Sequence, residues 1–298
     1  MEFIDRREFL ARTGAAVAIG AVASQQGIAE SAETPTEQAV GTLGPAGSYS
    51  HRAALQVNNQ VKFYETMFAA ADAVSSGEVQ AAILPIENSI QGAVIDTLDI
   101  LEDRDLYITA EVNVEIRHAL MAQSPDFTKV ASHPEALAQS SDYLSREYPN
   151  AEFHEVDSTS AGVELATTDG SVAAVAHPDL AEKNDLELLA TDIQNVSNNV
   201  TRFIRLETEP ATEGTKSTLL LYPGREPPAL SSDVLDILRD ADIDFTRFEA
   251  RPSTKALGDY VFHADFEDGD PEAVIDAIEP AFDWVQYLGT YDLIMDCR

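Results

Sequence analysis

The stretch "TEPATEGT", residues 208–215, decides the fold, because the order of elements changes across it. Proline, glycine and threonine interrupt any helix or strand period there, which marks a linker. Before it, short apolar runs alternate with helix-period segments. "VGTLG" (40–44) reads as a strand, followed by the turn "PAGSYS" (45–50), with Ser50 placed to cap a helix that carries Ala53, Ala54 and Leu55. "AAIL" (81–84) is a second strand, stopped by Pro85, and after it Val94, Leu98 and Leu101 fall on one helical face. "KVAS" (129–132), a helix over 134–148, "FHEV" (153–156), "STSAGVELATT" (158–168), "SVAAVA" (171–176) and "LELLA" (186–190) continue the pattern. Such alternation predicts a parallel-type α/β sheet with ligands near strand ends.

Beyond the linker the order is strand "STLLLY" (217–222), helix "ALSSDVLDILRDA" (229–241), strands "DFTRFEA" (244–250) and "DYVFHADFE" (259–267), helix "PEAVIDAIEPAF" (271–282) and strand "WVQYLG" (284–289). That is a βαββαβ unit, a ferredoxin-like arrangement. The expected division is an N-terminal extension over 1–39, a first region over 40–207, the linker over 208–215 and a tail domain over 216–298.

Composition narrows the function. The 298 residues are 44% hydrophobic, enough for two domains with ordinary cores once a leader is set aside. Against 52 acidic residues stand 19 lysines and arginines, a formal charge of −33, and only five of those cations are lysine. Such a chain repels polyanions, which excludes nucleic acid as a partner; acid this dense predicts the solvated surface of a halophilic protein. Cys297 cannot form an internal disulfide and has no histidine cluster beside it, so it reads as inert. The six histidines show no metal-ligand spacing, and neither metal nor cofactor is expected.

The segment "DRREFLARTGAAVAIGAVAS" (5–24) resembles a twin-arginine export signal, with "AVA" before Ser24 as its cleavage site. Its apolar run is too short and too weakly hydrophobic to cross a bilayer, so no stable membrane anchor is expected. A mis-assigned start or a linker-like extension is the other reading.

Four segments in order carry a family resemblance: "TLGPAGSYSHRAAL" (42–55), "LPIENSIQGAVIDTLDIL" (84–101), "ASHPEALAQ" (131–139) and "NNVTRFIRL" (198–206). They resemble the prephenate dehydratases, and with the tail the likeness runs from Val40 to Tyr291. The resemblance implies a two-lobed catalytic region like that of periplasmic binding proteins, followed by a ferredoxin-like ACT regulatory domain. It implies a carbon–oxygen lyase of phenylalanine biosynthesis. Prephenate would lose its ring carboxylate as CO2 and its ring hydroxyl as water, giving phenylpyruvate.

"SNNVTRF" (197–203) suits that task, since it sets neutral hydrogen-bonding groups beside one arginine, with no carboxylate, histidine or cysteine among them. A carboxylate there would repel a dianionic substrate, whereas neutral donors and a cation hold it and assist hydroxide departure. By the resemblance, Thr201 donates to the leaving hydroxyl. An alcohol is a poor acid near neutrality, so its effect must come from orientation in a dry site. Arg202 is expected to grip a substrate carboxylate bidentately, with an ordinary ion pair as the alternative. Asn199 and Asn198 orient the ring hydroxyl or cap a turn, and Phe203 is placed with the substrate-binding residues. In "PIENS", Asn88 and Ser89 are carboxylate-binding candidates at a strand-to-helix turn, while Glu87 braces the loop or pairs with an arginine. Ser48 and Ser50 occupy a similar turn. His133 reads as the residue before a helix-starting proline.

ACT domains of the family resemble one another in pairing across a dimer interface and binding L-phenylalanine there through "GAL" and "ESRP" motifs. Here the matching segments read "PPAL" (227–230) and "FEARP" (248–252), with Pro228 for the glycine and Ala250 for the serine. The resemblance assigns effector contacts to Ala229, Leu230, Asp244, Glu249, Ala250, Arg251 and Pro252, with altered strength, in a homodimer or homotetramer. Two alternatives stand beside this reading: a dehydratase preferring arogenate, and an exported binding protein that holds an anion without turning it over. The pathway argues for the cytoplasm, the leader for export.

Overall fold

The computed structural model describes residues 39–224, 236, 239, 243–267 and 269–297. The leader, all but Ala39 of the N-terminal extension, lies outside the described residues, as do Pro228, Ala229 and Leu230.

The first lobe begins with β1 (Val40–Leu43), α1 (Tyr49–Val57), β2 (Val61–Tyr64), α2 (Met67–Ser75), β3 (Ala81–Asn88), β4 (Gly92–Ala93), α3 (Ile95–Asp103) and β5 (Tyr107–Glu115). The chain then builds a second lobe from β6 (Ala119–Ala122), β7 (Lys129–Ser132), α4 (Pro134–Gln139), α5 (Ser141–Glu147), β8 (Glu152–Glu155), α6 (Thr159–Thr168), β9 (Val172–Ala176), α7 (Asp179–Lys183) and β10 (Glu187–Ala190). It returns to the first lobe as β11 (Val200–Glu207). The lobes are thus joined by two crossings, one after β5 and one before β11.

The first sheet runs β16-β5-β11-β3-β1-β2, with β4 beside β3; β16 (Leu293–Cys297) is the last described strand of the chain. It is mixed, which corrects the expected parallel sheet: β1 pairs parallel with β2 and β3, but β11 lies antiparallel to β3 and β5. A strand that arrives from another lobe is free of the βαβ crossover that enforces parallel pairing. β3 also continues through Pro85 to Asn88 where the sequence suggested a stop. A register shift opposite Arg202 and Phe203 accommodates the proline, whose missing N–H is tolerated at a bulge. Ser48, two residues earlier than expected, caps α1 by accepting from the His51 amide at 3.2 Å, and Ser50 lies inside the helix.

The second sheet, β10-β6-β9-β7-β8, is also mixed. Its strands are short, and β9 is buried at every position between helices on both faces.

A third, antiparallel sheet has the order β13-β14-β12-β15, from β12 (Lys216–Tyr222), β13 (Phe245–Pro252), β14 (Tyr260–Glu267) and β15 (Trp284–Tyr291), with α8 (Pro271–Ile278) before β15. This is the strand order of a ferredoxin-like unit, and Asp236 and Arg239 of the expected first helix are helical. Alternation sends one face to α8 through Leu219, Phe262 and Phe266. The other face places Leu220, Val261 and Tyr291 in one core with Leu98 and Leu101 of α3 and with Ile204 and Leu206 of β11. Contact between the sheets reaches the backbone. At Gly289, with φ of 135°, a Cβ would stand 2.2 Å from the Ile108 carbonyl oxygen of β5. After β15 the chain leaves the third sheet and pairs parallel with β5 as β16, with the Glu111 amide donating to the Asp292 carbonyl at 3.0 Å. The linker is tied down as well: Thr290 and Tyr287 both donate to the Ala211 carbonyl, at 2.8 and 3.0 Å. Among the described residues no helix is long and apolar enough to cross a membrane.

Candidate active site

The antiparallel register of β11 on β3 sets Thr201 opposite Asn88 and Arg202 opposite Glu87. Because side chains alternate along a strand, the two pairs leave the sheet on opposite faces.

Asn88 fixes the orientation of a chain of amides. Its Oδ1 accepts from the Ile90 and Gln91 backbone amides at 2.9 and 3.1 Å, so its Nδ2 is the donor side. That Nδ2 donates to Thr201 Oγ1 at 3.0 Å and to Asn199 Oδ1 at 2.8 Å. Asn199 must then donate from Nδ2, to Gln139 Oε1 at 3.1 Å, and Gln139 in turn donates to Glu135 Oε1 at 2.9 Å. Gln139 Oε1 also lies 2.8 Å from His118 Nε2, which makes that ring nitrogen the protonated one. Burial lowers the His118 pKa, so the ring stays neutral at physiological pH. Two backbone N–H groups therefore set the polarity of five side chains. Thr201, whose oxygen already accepts from Asn88, has its own proton without an acceptor among the described residues. This is the state in which a hydroxyl can donate outward.

A cavity of about 300 Å³ opens beside this network where the two crossings meet, lined by Gln91, Glu135, Gln139, Gln194, Asn195 and Asn199 with Ile90, Ala138 and Val196. Asn88 and Thr201 lie behind Asn199. The Tyr49 hydroxyl of α1 closes the corner by donating to the Arg117 carbonyl at 2.5 Å, 3.4 Å from His118 Nδ1. Arg52 of α1 joins the lobes through Asp179 at 2.6 Å.

Several expected contacts are corrected. Arg202 does not share the cleft with Thr201. It is buried on the reverse face, with Nε on Glu111 at 2.7 Å and its end nitrogens on Asp265 at 2.5 Å and the Tyr291 hydroxyl at 2.9 Å. All three arms of the guanidinium are engaged, which leaves none for a substrate carboxylate. Phe203 is core, packed with Val40, Ala53, Ile83 and Val112. Ser89 donates to the Asn198 carbonyl and accepts from the Val200 amide, both at 2.9 Å, so its one proton ties β3 to β11. Glu87 lies 3.7 Å from Arg202 and 3.5 Å from Arg247. Arg251, assigned to an effector, is bidentate to Asp99 of α3 at 2.6 and 2.9 Å, so it binds the third sheet to the first lobe. Asp244 is exposed just before the edge strand β13, on which Ala250 and Pro252 are exposed and Glu249 is half-buried. His133 does precede the proline of α4, and its Nδ1 accepts from Glu135 N at 3.3 Å. Gln139 and His118, which complete the amide network, are absent from the sequence-derived set.

Two α/β lobes joined by two crossings, with oriented neutral donors at the joint, form a protein with a small-molecule cleft between its lobes. The chain belongs to the prephenate dehydratase family, whose model matches residues 40–211. A prephenate dehydratase of Lactococcus lactis subsp. lactis is 35% identical over 236 residues, which cover 75% of this chain and 84% of that one. The structure of prephenate dehydratase from Arthrobacter aurescens in complex with L-Phe is similar at a TM-score of 0.76 and 28% identity, over 87% of this chain and 91% of that one. A structure described as a novel type of quorum quenching acylase is similar at a TM-score of 0.75 and 26% identity, over 86% and 98%.

Proposed function

We propose that this chain converts prephenate to phenylpyruvate, water and CO2, with Thr201 as the oriented donor to the departing hydroxyl. The observation that carries the reading is the Asn88–Thr201 pair, in which two backbone amides force the asparagine to donate and so leave the threonine proton for another acceptor. The bond from the ring to its carboxylate breaks, its electron pair enters the ring, and the hydroxyl leaves from the opposite carbon with one proton taken up. Aromatisation drives the step, so the protein has only to hold the dianion and stabilise the charge developing on oxygen. With Arg202 engaged elsewhere, the substrate's carboxylates fall to neutral donors, Asn199 and Gln139 among them, and to the free amides at the start of α1 beside Ser48. The test is absorbance of phenylpyruvate from purified protein and prephenate in molar salt; no turnover there rejects the reading. Arogenate in a parallel assay separates the two dehydratase activities.

The third sheet with α8 is an ACT domain in this reading, and the protein is a homodimer or homotetramer that binds L-phenylalanine through β13 and the segment around Ala229 and Leu230. Calorimetry without heat on adding phenylalanine would reject effector binding. The cytoplasm, where prephenate is made, is the assigned location, and N-terminal sequencing of native protein that starts near Ser24 would overturn it.

A further inference from the structure

On the reverse face of the strands that carry Asn88 and Thr201, three cations and three carboxylates meet. Arg202 reaches Glu111, Asp265 and Tyr291; Lys216 reaches Glu111 at 3.0 Å; and Glu87 lies between Arg202 and Arg247 at 3.7 and 3.5 Å. Arg202, Glu87 and Glu111 belong to the first sheet, while Asp265, Tyr291, Lys216 and Arg247 belong to the third. Burial works against the charge on Arg202, but Asp265, Tyr291 and Glu111 outweigh it and hold the guanidinium ionised. Asp265 is anchored in turn by the Thr218 hydroxyl at 2.8 Å, and Thr218 lies 2.6 Å from the Tyr291 hydroxyl. Every arm of Arg202 is therefore held by a group with a second tie.

The positions in the ladder matter. Arg202 and Glu87 face each other in the rung next to that of Thr201 and Asn88. The third sheet thus grips both strands one residue away from the donor pair, and on the other side of the same backbone. A shift of the Arg202 backbone is passed to Thr201, because a single planar peptide unit joins them. An oriented donor loses its effect over small displacements. Arg247 adds an adjustable element: both of its end nitrogens are buried without a hydrogen-bond partner among the described residues, so Glu87 is shared loosely between two guanidinium groups.

We propose that Arg202, with Glu87, Asp265, Tyr291 and Arg247, is a positioning assembly through which the third sheet sets the Asn88–Thr201 pair for the reaction. It rests on the proposed dehydratase function and adds to it residues that touch no substrate. Full-length Tyr291→Phe, which removes one arm of the grip and keeps the ring, is measured with prephenate alone and in the Thr201→Ala background, with the unfolding midpoint recorded alongside. The kcat should drop about 5- to 10-fold with KM nearly unchanged, and that factor should shrink to less than about 2 once Thr201 is gone. Glu87→Gln, at a half-exposed position, tests the other strand by the same cycle. An unaltered kcat in both variants, or a factor of the same size with and without the Thr201 hydroxyl, overturns the positioning assembly and leaves the dehydratase reading intact. A wild-type protein that leaves prephenate unconverted sinks both.

Discussion

The first sheet carries two polar networks, back to back, built from opposite materials. On the cleft face Asn88, Asn199, Gln139 and Thr201 are neutral and take their orientation from backbone amides. On the reverse face Arg202, Glu111, Asp265 and Lys216 are charged and take theirs from one another. A buried charge demands its partner and so makes a clamp, whereas a buried amide asks only for geometry and adds no charge of its own near a dianion, which leaves Glu135 as the carboxylate that lines the cavity. The difference places rigidity behind the site and permits negative charge in front of it.

The largest blow to the charged side is Asp265→Asn, which leaves Arg202 buried beside a neutral group. A loss of about 3–5 kcal/mol in folding free energy is expected, read by denaturant unfolding. Next comes Thr201→Ala on the neutral side, expected to lower kcat by roughly 10²-fold or more while the unfolding midpoint barely moves. A result that exchanged the two effects would erase the distinction between clamp and donor.

Acid sharpens the comparison. Burial, then Arg52, pushes the His177 imidazole down to about 4, and burial lowers that of His118. Below the ordinary histidine value of about 6.5 the unfolded chain takes up protons that the folded chain refuses, so stability falls as pH drops from 6.5 toward 4. Burial works to raise the Asp265 carboxyl, but Arg202 and Arg247 hold it below the usual carboxylate range. The clamp should therefore stay whole through that window and loosen only below about pH 4. Thermal midpoints against pH, with His177→Gln flattening the first slope, check the order. The smallest effect belongs to Arg251→Gln, whose partly exposed pair with Asp99 should contribute no more than about 1 kcal/mol and fade further in salt.

Much of this was legible in the sequence. The strand containing Thr201 is in place, while Asn88, expected in a turn, ends β3 instead. The face of Arg202 was legible too, since period-two alternation forbids neighbours on a strand from sharing a cleft, but the motif invites reading its residues as one group. β5 was missed although Ile108, Ala110, Val112 and Val114 alternate with Thr109, Glu111 and Asn113. Gln139 and His118 gave no local signal: they meet Asn199 only because the two crossings bring positions 118, 139 and 199 to one point. β16 was unreadable for a similar reason, as a short apolar run becomes an edge strand only where a sheet edge awaits it.

That late strand has a consequence for biogenesis. The first sheet receives an edge member from Leu293–Cys297, which leave the ribosome after all the other described strands. Until then β5 presents an open row of backbone donors and acceptors, a template for sticking to neighbouring nascent chains. Translation, and not only equilibrium, therefore sets how much of this acidic chain reaches its working shape.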